Sequence, residues 1–302
     1  MARFIASRFP VKLTHAAAQL GEMLREAKLP VISAFGFHRF VWKLYAGPTD
    51  QKLYLRSDLP SSSDTSRLRQ SLKKAGLIGT DPDYGKSVIR VMTVPDLPAD
   101  EIVCLADPTC YVSHLSAMQR WGLTDRHPER LILSRPDRPT AIMALQAQMD
   151  IALKAGEEAP FPLRIVAHPA EVRQRPVMAL ETKTVGFSVQ IRGSHVRVST
   201  IGQTFLDMVQ KPDLCGGMAH IIDIWEEHAR SYLQEIVSAV DTAHIAIAKS
   251  RAGYILQERL GLTNPTIESW KALGQRGGSR KLDPDKDFAP EFSETWMLSL
   301  NV

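Results

Sequence analysis

The chain is poor in cysteine and has no long apolar run, and each lack removes a class of function. Of its 302 residues only Cys104, Cys110 and Cys215 are cysteines. An odd, sparse set of thiols argues against a disulfide-stapled secreted scaffold and for buried, unpaired side chains. Cys104, Cys110 and His114 are separated by five and three residues, with Pro108 between them. That spacing fits no standard zinc pattern, so small apolar core thiols are expected and no metal. No apolar stretch approaches the ~20 residues needed to cross a bilayer. The opening MARFIASRFPVKLTH is basic, but its apolar part is too short and broken for a secretory signal. The expected location is the cytoplasm, away from membranes.

The chemistry-bearing motifs are also thin. There is no G-x-S-x-G elbow, no dinucleotide fingerprint and no paired-aspartate nucleotidyl-transfer motif. Cys215-Gly216-Gly217 is not followed by the lysine and hydroxyl of a phosphate loop, and reads as a turn. Ser113, His114 and Ser116 lie too close in sequence to face one another on a helix. His220, Asp223 and Glu227 share one helical face but lack the H-E-x-x-H spacing, and an amphipathic helix explains them. No catalytic residue, cofactor or metal is expected.

What is present is an uneven charge distribution. Residues 1–95 hold 15 Lys/Arg against 7 Asp/Glu, a net of +8, while residues 96–302 carry a net of −4. A basic first part on a mildly acidic remainder suggests a polyanionic partner for the first part alone.

Local patterns give that basic part an order. Thr14 caps an expected helix to about Lys28, with Ala17, Leu20, Leu24 and Ala27 as its apolar stripe; Pro30 ends it. A second helix spans about 33–46, with Phe37, Phe40, Val41 and Leu44 inward and Gly47-Pro48 after it. Residues 49–60 fit a short helix or a strand equally. Then SSSDTSRLRQSLKKAGLI (61–78) reads as a third helix, capped by Ser63 or Asp64, with Leu68, Leu72 and Ala75 inward and Gly76 past its end. A hairpin follows, turning at Asp81-Pro82-Asp83-Tyr84-Gly85. Helix, short element, turn, basic helix, hairpin is the order of a winged helix-turn-helix.

In that motif the second helix lays its N-terminal side chains on base edges, while flanking residues grip phosphates. Ser63, Thr65, Ser66, Arg67, Arg69, Gln70 and Lys73 stand off the leucine stripe. Arginine pairs with guanine, glutamine with adenine, and serine or threonine with phosphate. Lys86 and Arg90 on the hairpin are placed to reach the neighbouring backbone or minor groove. A solvated outer face would explain the helix by itself; the hairpin and the charge asymmetry favour DNA contact.

The proline-rich, acidic PDLPAD (95–100) reads as a linker, dividing a DNA-binding domain at 1–95 from a second domain at 96–302. In the second, Pro108 is expected to open a helix to about Trp121, and Pro139 another to about Lys154. Strands are expected at 130–134, 162–168, 183–193 and 195–200, with helices from Ile201 to about Gly274 and a closing strand near 296–301. The expected class is α+β: a winged helix-turn-helix, then an α/β domain with a helical C-terminal part.

Segments of this second part resemble the antitoxin domain of the AbiEi family, the type IV antitoxins of abortive-infection systems. They are YVSHLSAMQRWGLTDRHPERLILS (111–134), VSTIGQTFLDMVQKPDLCGG (198–217), RAGYILQERLG (251–261), KLDP (281–284) and the closing WMLSLN, in the family's order over most of 104–302. Gly202 and Gln203 stand where the family often has Glu-Arg, while Thr204 and Asp207 remain. The resemblance implies a non-enzymatic antitoxin of a phage-defence toxin–antitoxin system. Such a protein represses its own operon at inverted repeats in the promoter. It also counteracts a nucleotidyltransferase-like toxin without forming a stable complex with it. Alternatives are an interaction protein that neutralises its toxin by direct binding, a plain winged-helix regulator, and an enzyme reversing a toxin's modification with Asp223 and Glu227.

Overall fold

The computed structural model describes residues 12–47, 59–153, 163–273 and 280–302. In chain order the elements are α1 (His15–Glu26), β1 (Val31–Ser33), α2 (Ala34–Ala46), α3 (Ser62–Lys74), β2 (Ile78–Asp81), β3 (Gly85–Val91), α4 (Ala99–Ala106), β4 (Tyr111–Val112) and α5 (His114–Arg120). There follow β5 (Leu131–Pro136), α6 (Arg138–Leu153), β6 (Glu171–Val172), β7 (Arg175–Thr182), β8 (Ser188–Gln190), β9 (Arg197–Ser199) and α7 (Ile201–Gln210). The chain closes with α8 (Met218–His228), α9 (Leu233–Thr242), α10 (Ala246–Gly253), α11 (Pro265–Trp270), β10 (Phe292–Ser293) and β11 (Leu298–Ser299). The class is α+β. The chain divides into two compact units, Met1–Cys110 with Pro136–Arg175, and Tyr111–Arg135 with Pro176–Val302.

In the first unit, the helix-forming signals act as local rules require. Thr14 caps α1 and Ser33 caps α2, each accepting a hydrogen bond from the amide three residues on. The cap of α3 is Ser61, not Ser63 or Asp64. Ser61 Oγ accepts from the Asp64 amide, and the Asp64 carboxylate accepts from the Ser61 amide, both at 3.1 Å. This is a capping box, in which Asp64 serves as the third helical residue. Gly76 takes φ +74° just past the helix end, a left-handed turn that costs glycine nothing.

Leu68 and Leu72 of α3 pack on Leu20 and Leu24 of α1, Phe37 and Val41 of α2, and Ile89 of β3. Each fully buried leucine contributes about 2 kcal/mol relative to exposure. A three-stranded antiparallel sheet, ordered β1-β3-β2, closes the core. Further along, Leu145 of α6 and Leu163 pack against Phe35 of α2.

The first unit therefore extends past the expected boundary at 95. Of the stretch 95–100 only 95–98 lack secondary structure; Ala99 and Asp100 open α4, which lies against β1, and 136–175 returns to the same unit. Residues 49–58 fall outside the described residues, as do Lys154 and Gly274.

In the second unit, strands β7, β5, β4, β9 and β8 lie side by side in that order. Strand β4 pairs antiparallel with β5 and parallel with β9. The helices bury Phe205, Trp225, Ile255, Trp270 and Trp296 in one cluster. Helix α7 approaches α9 closely enough that a Cβ on Gly202 would sit 2.2 Å from the Glu235 carbonyl oxygen. Glycine stands at 202 because no side chain fits there.

Several expected elements differ. No helix begins at Pro108. The chain runs α4, a turn, β4 and then α5, because Asp107 Oδ1 accepts from the Thr109 amide and hydroxyl at 2.9 and 2.6 Å and so caps the turn. Residues 163–168 form no strand, and the strand expected at 183–193 is only β8. The closing strand is only β11, paired with β10.

Candidate nucleic-acid interface

The outward side of α3 carries Ser63, Ser66, Arg67, Gln70 and Lys73, all exposed. Lys86, near the start of β3, is exposed as well. Arg69 is half-buried and donates to the Lys86 carbonyl at 3.4 Å. That bond ties the middle of the helix to the hairpin, so the two sets of polar side chains belong to one surface. Arg67 pairs with Asp64 at 2.6 Å, with the Arg67 side chain about half exposed. Asp64 itself is buried in the capping box, so only the Arg67 end of the pair faces solvent.

Two expected contacts are withdrawn from that surface. Thr65 is buried: its hydroxyl is 3.1 Å from His38 Nδ1 and donates to the Ser61 carbonyl at 3.2 Å. It lies three residues before Leu68, on the inward face. Arg90 also serves the interior. Its guanidinium donates to the carbonyls of Pro30 and Val91 at 2.7 Å and of Val94 at 2.9 Å, holding the ends of the strands together.

The hairpin turn is acidic, and the acid is answered from within the same unit. Asp81 Oδ1 accepts from the amides of Asp83 and Tyr84, both at 3.0 Å. Arg173, in a left-handed conformation with φ +50°, reaches Asp81 at 2.7 Å and Asp96 at 2.9 Å and also pairs with Asp83. Burial alone would raise the Asp81 carboxyl, but Arg173 and the two turn amides outweigh it and hold the carboxyl below its ordinary value. Nothing local in the sequence pointed to Arg173, which lies 92 positions from Asp81.

The motifs of the second unit are interior. Ser113 and His114, expected to point apart, are hydrogen-bonded at 2.8 Å because His114 adopts φ +51°. Ser134 donates to Ser113 at 2.8 Å. Burial, reinforced by Lys211, pushes His114 down to about 4. Asp207 is pushed up to about 7 by burial, against hydrogen bonds from Gln203 and the His114 amide. Gln203 donates to Asp207 at 2.7 Å and accepts from the Phe187 amide at 3.2 Å. Thr204 is hydrogen-bonded to Ser199 at 2.8 Å. The Ser113 and His114 side chains are bonded to each other, and Asp207 to Gln203.

Asp223 and Glu227 are exposed on α8, and His220 is hydrogen-bonded to Thr124 at 3.0 Å. Among the described residues these three form no ligand cluster. All three cysteines are buried. Cys110 is grouped with Asp107 and His168 instead of with His114. No described helix is long and apolar enough to cross a membrane.

No family model matches the chain, and no curated protein matches it. Among solved structures it is similar to the Rv2827c protein from Mycobacterium tuberculosis at 10% identity, over 95% of this chain and 92% of that one, with a TM-score of 0.47.

Proposed function

We propose that the chain is a DNA-binding repressor of its own operon and the antitoxin of a type IV abortive-infection system. The observation that carries the DNA half is the Arg69–Lys86 carbonyl bond, which joins the exposed polar face of α3 to the hairpin. The order α1, β1, α2, α3, β2, β3 with sheet order β1-β3-β2 supports reading this part as a winged helix, in which α3 would be the recognition helix and β2–β3 the wing. On this reading Arg67 and Gln70 address base edges. Ser63, Ser66, Lys73 and Lys86 address phosphates.

The antitoxin half rests on the AbiEi-like segments of 104–302. Its partner would be a nucleotidyltransferase-like toxin, countered without a stable complex. The two matching positions, Thr204 and Asp207, are both buried.

Anisotropy titration of a labelled fragment of the chain's own promoter tests the DNA half. Specific binding that exceeds binding to scrambled DNA by ~1000-fold or more is expected, and equal affinity for both would refute it. Co-expression with the neighbouring toxin gene tests the other half, with rescue of growth expected.

A further inference from the structure

Beyond DNA contact, the first unit holds a second constellation. The His168 side chain is almost wholly buried at 2% exposure. Its Nδ1 is 2.8 Å from the Tyr84 hydroxyl, in the β2–β3 turn. Its Nε2 makes no hydrogen bond of good geometry and lies 3.3 Å from Asp107 Oδ2. Cys110 is fully buried, and its Sγ completes a group whose three ligand atoms all lie within 4.8 Å of one another.

We propose that Asp107, Cys110 and His168 bind a thiophilic divalent cation, zinc by the chemistry of the donors, as a structural site. Ligand atoms around a tetrahedral ion bound at 2.0–2.3 Å stand roughly 3.3–3.8 Å apart, and the Asp107–His168 separation already matches. Thiolate with imidazole selects zinc-like ions over magnesium or calcium, which favour oxygen alone. One thiolate and one carboxylate neutralise a dication, so the loaded site adds no net charge to a dry interior; the Cys110 proton leaves to solvent on binding. Three protein donors leave one coordination position for an oxygen ligand.

The Cys110 thiol donates to the carbonyls of Asp107 at 3.3 Å and Val103 at 3.5 Å, contacts that its thiolate would exchange for the ion. A ligating imidazole holds its other nitrogen on a hydrogen-bonding partner that fixes the ring, and Tyr84 is that partner. Asp107 Oδ1 is engaged by Thr109, which presents Oδ2 to His168. Through Tyr84, the ion would brace the hairpin that the proposed DNA surface uses. The alternative occupant of this geometry is an Asp–His pair with a thiol beside it.

The test uses the full chain, purified without a histidine tag, with metal content measured by mass spectrometry after loading with zinc or cobalt and extensive dialysis. About one equivalent per chain is expected, falling to background in Cys110→Ser and His168→Gln and unchanged in Cys104→Ser and Cys215→Ser. Cobalt-loaded wild type should show a thiolate-to-cobalt charge-transfer band, a readout that does not depend on any variant folding. Absence of stoichiometric zinc and of that band in wild type overturns the site. So does binding that survives either Cys110→Ser or His168→Gln.

Discussion

Arg173 Nη2 lies 2.7 Å from Oδ2 of Asp81, whose side chain is wholly buried. One guanidinium thereby secures the turn of the β2–β3 hairpin. Removing one partner of such a pair leaves a buried charge alone. Arg173→Met should cost about 3 kcal/mol at pH 7 by denaturant titration. Because the folded Asp81 carboxyl titrates below its ordinary value, its contribution is present above about pH 4 and lost as pH falls through the folded value. The deficit of Arg173→Met should therefore shrink in acid. A deficit that is constant across pH would contradict this role.

Asp207 and His114 act oppositely with pH. Asp207 titrates at about 7 when folded, so between about pH 4 and 7 the folded state holds more protons and stability falls as pH rises. His114 titrates at about 4, so between about 4 and 6.5 the unfolded state holds more, and stability rises with pH. Asp207→Asn mimics the protonated acid. It should gain on wild type from pH 5 to pH 8, by at most about 4 kcal/mol. Thermal melts across that range check it, and a gain independent of pH would refute the assignment.

Gly202→Ala should be severely destabilising, by about 3 kcal/mol, since its Cβ would press on the Glu235 carbonyl and backbone cannot yield as a side-chain tip can. A melting temperature within a degree or two of wild type would show that α7 and α9 separate at little cost.

Thr65→Val should lower stability by about 1–2 kcal/mol through loss of the His38 bond. It should leave the salt dependence of DNA binding unchanged, because Thr65 is buried. A reduced salt slope in a folded Thr65→Val protein would put the residue back on the DNA face.

Much of the first unit could be read from residues alone, because capped helices with a 3.6-residue stripe declare themselves. Thr14, Leu68, Leu72 and Gly76 did so. The three-residue β1 left no periodic signal, and the serine run offered several caps for α3, of which Ser61 forms the box. Thr65 was misplaced although its spacing to Leu68 marks the inward face. Arg90 was misplaced because its three carbonyl partners depend on tertiary folding. Pro108 suggested a helix start where Asp107 makes a turn. The proline-rich linker hid the return of α6 to Phe35, a contact between residues 110 positions apart. His168 lies 58 positions from Cys110, beyond any local motif, so a sequence-based expectation of no metal ligand set could not include it.

Contact of α3 and the hairpin with DNA is read from salt dependence. The logarithm of affinity for the promoter fragment is measured against the logarithm of salt concentration, for wild type and for Arg67→Ala, Lys73→Ala and Lys86→Ala combined. Each lost phosphate contact reduces the slope by about 0.9. The expected slope is lower by about 2, from the Lys73 and Lys86 phosphate contacts, and binding is much weaker at every salt concentration, with the melting temperature kept. An unchanged slope and affinity in the folded triple variant would contradict it.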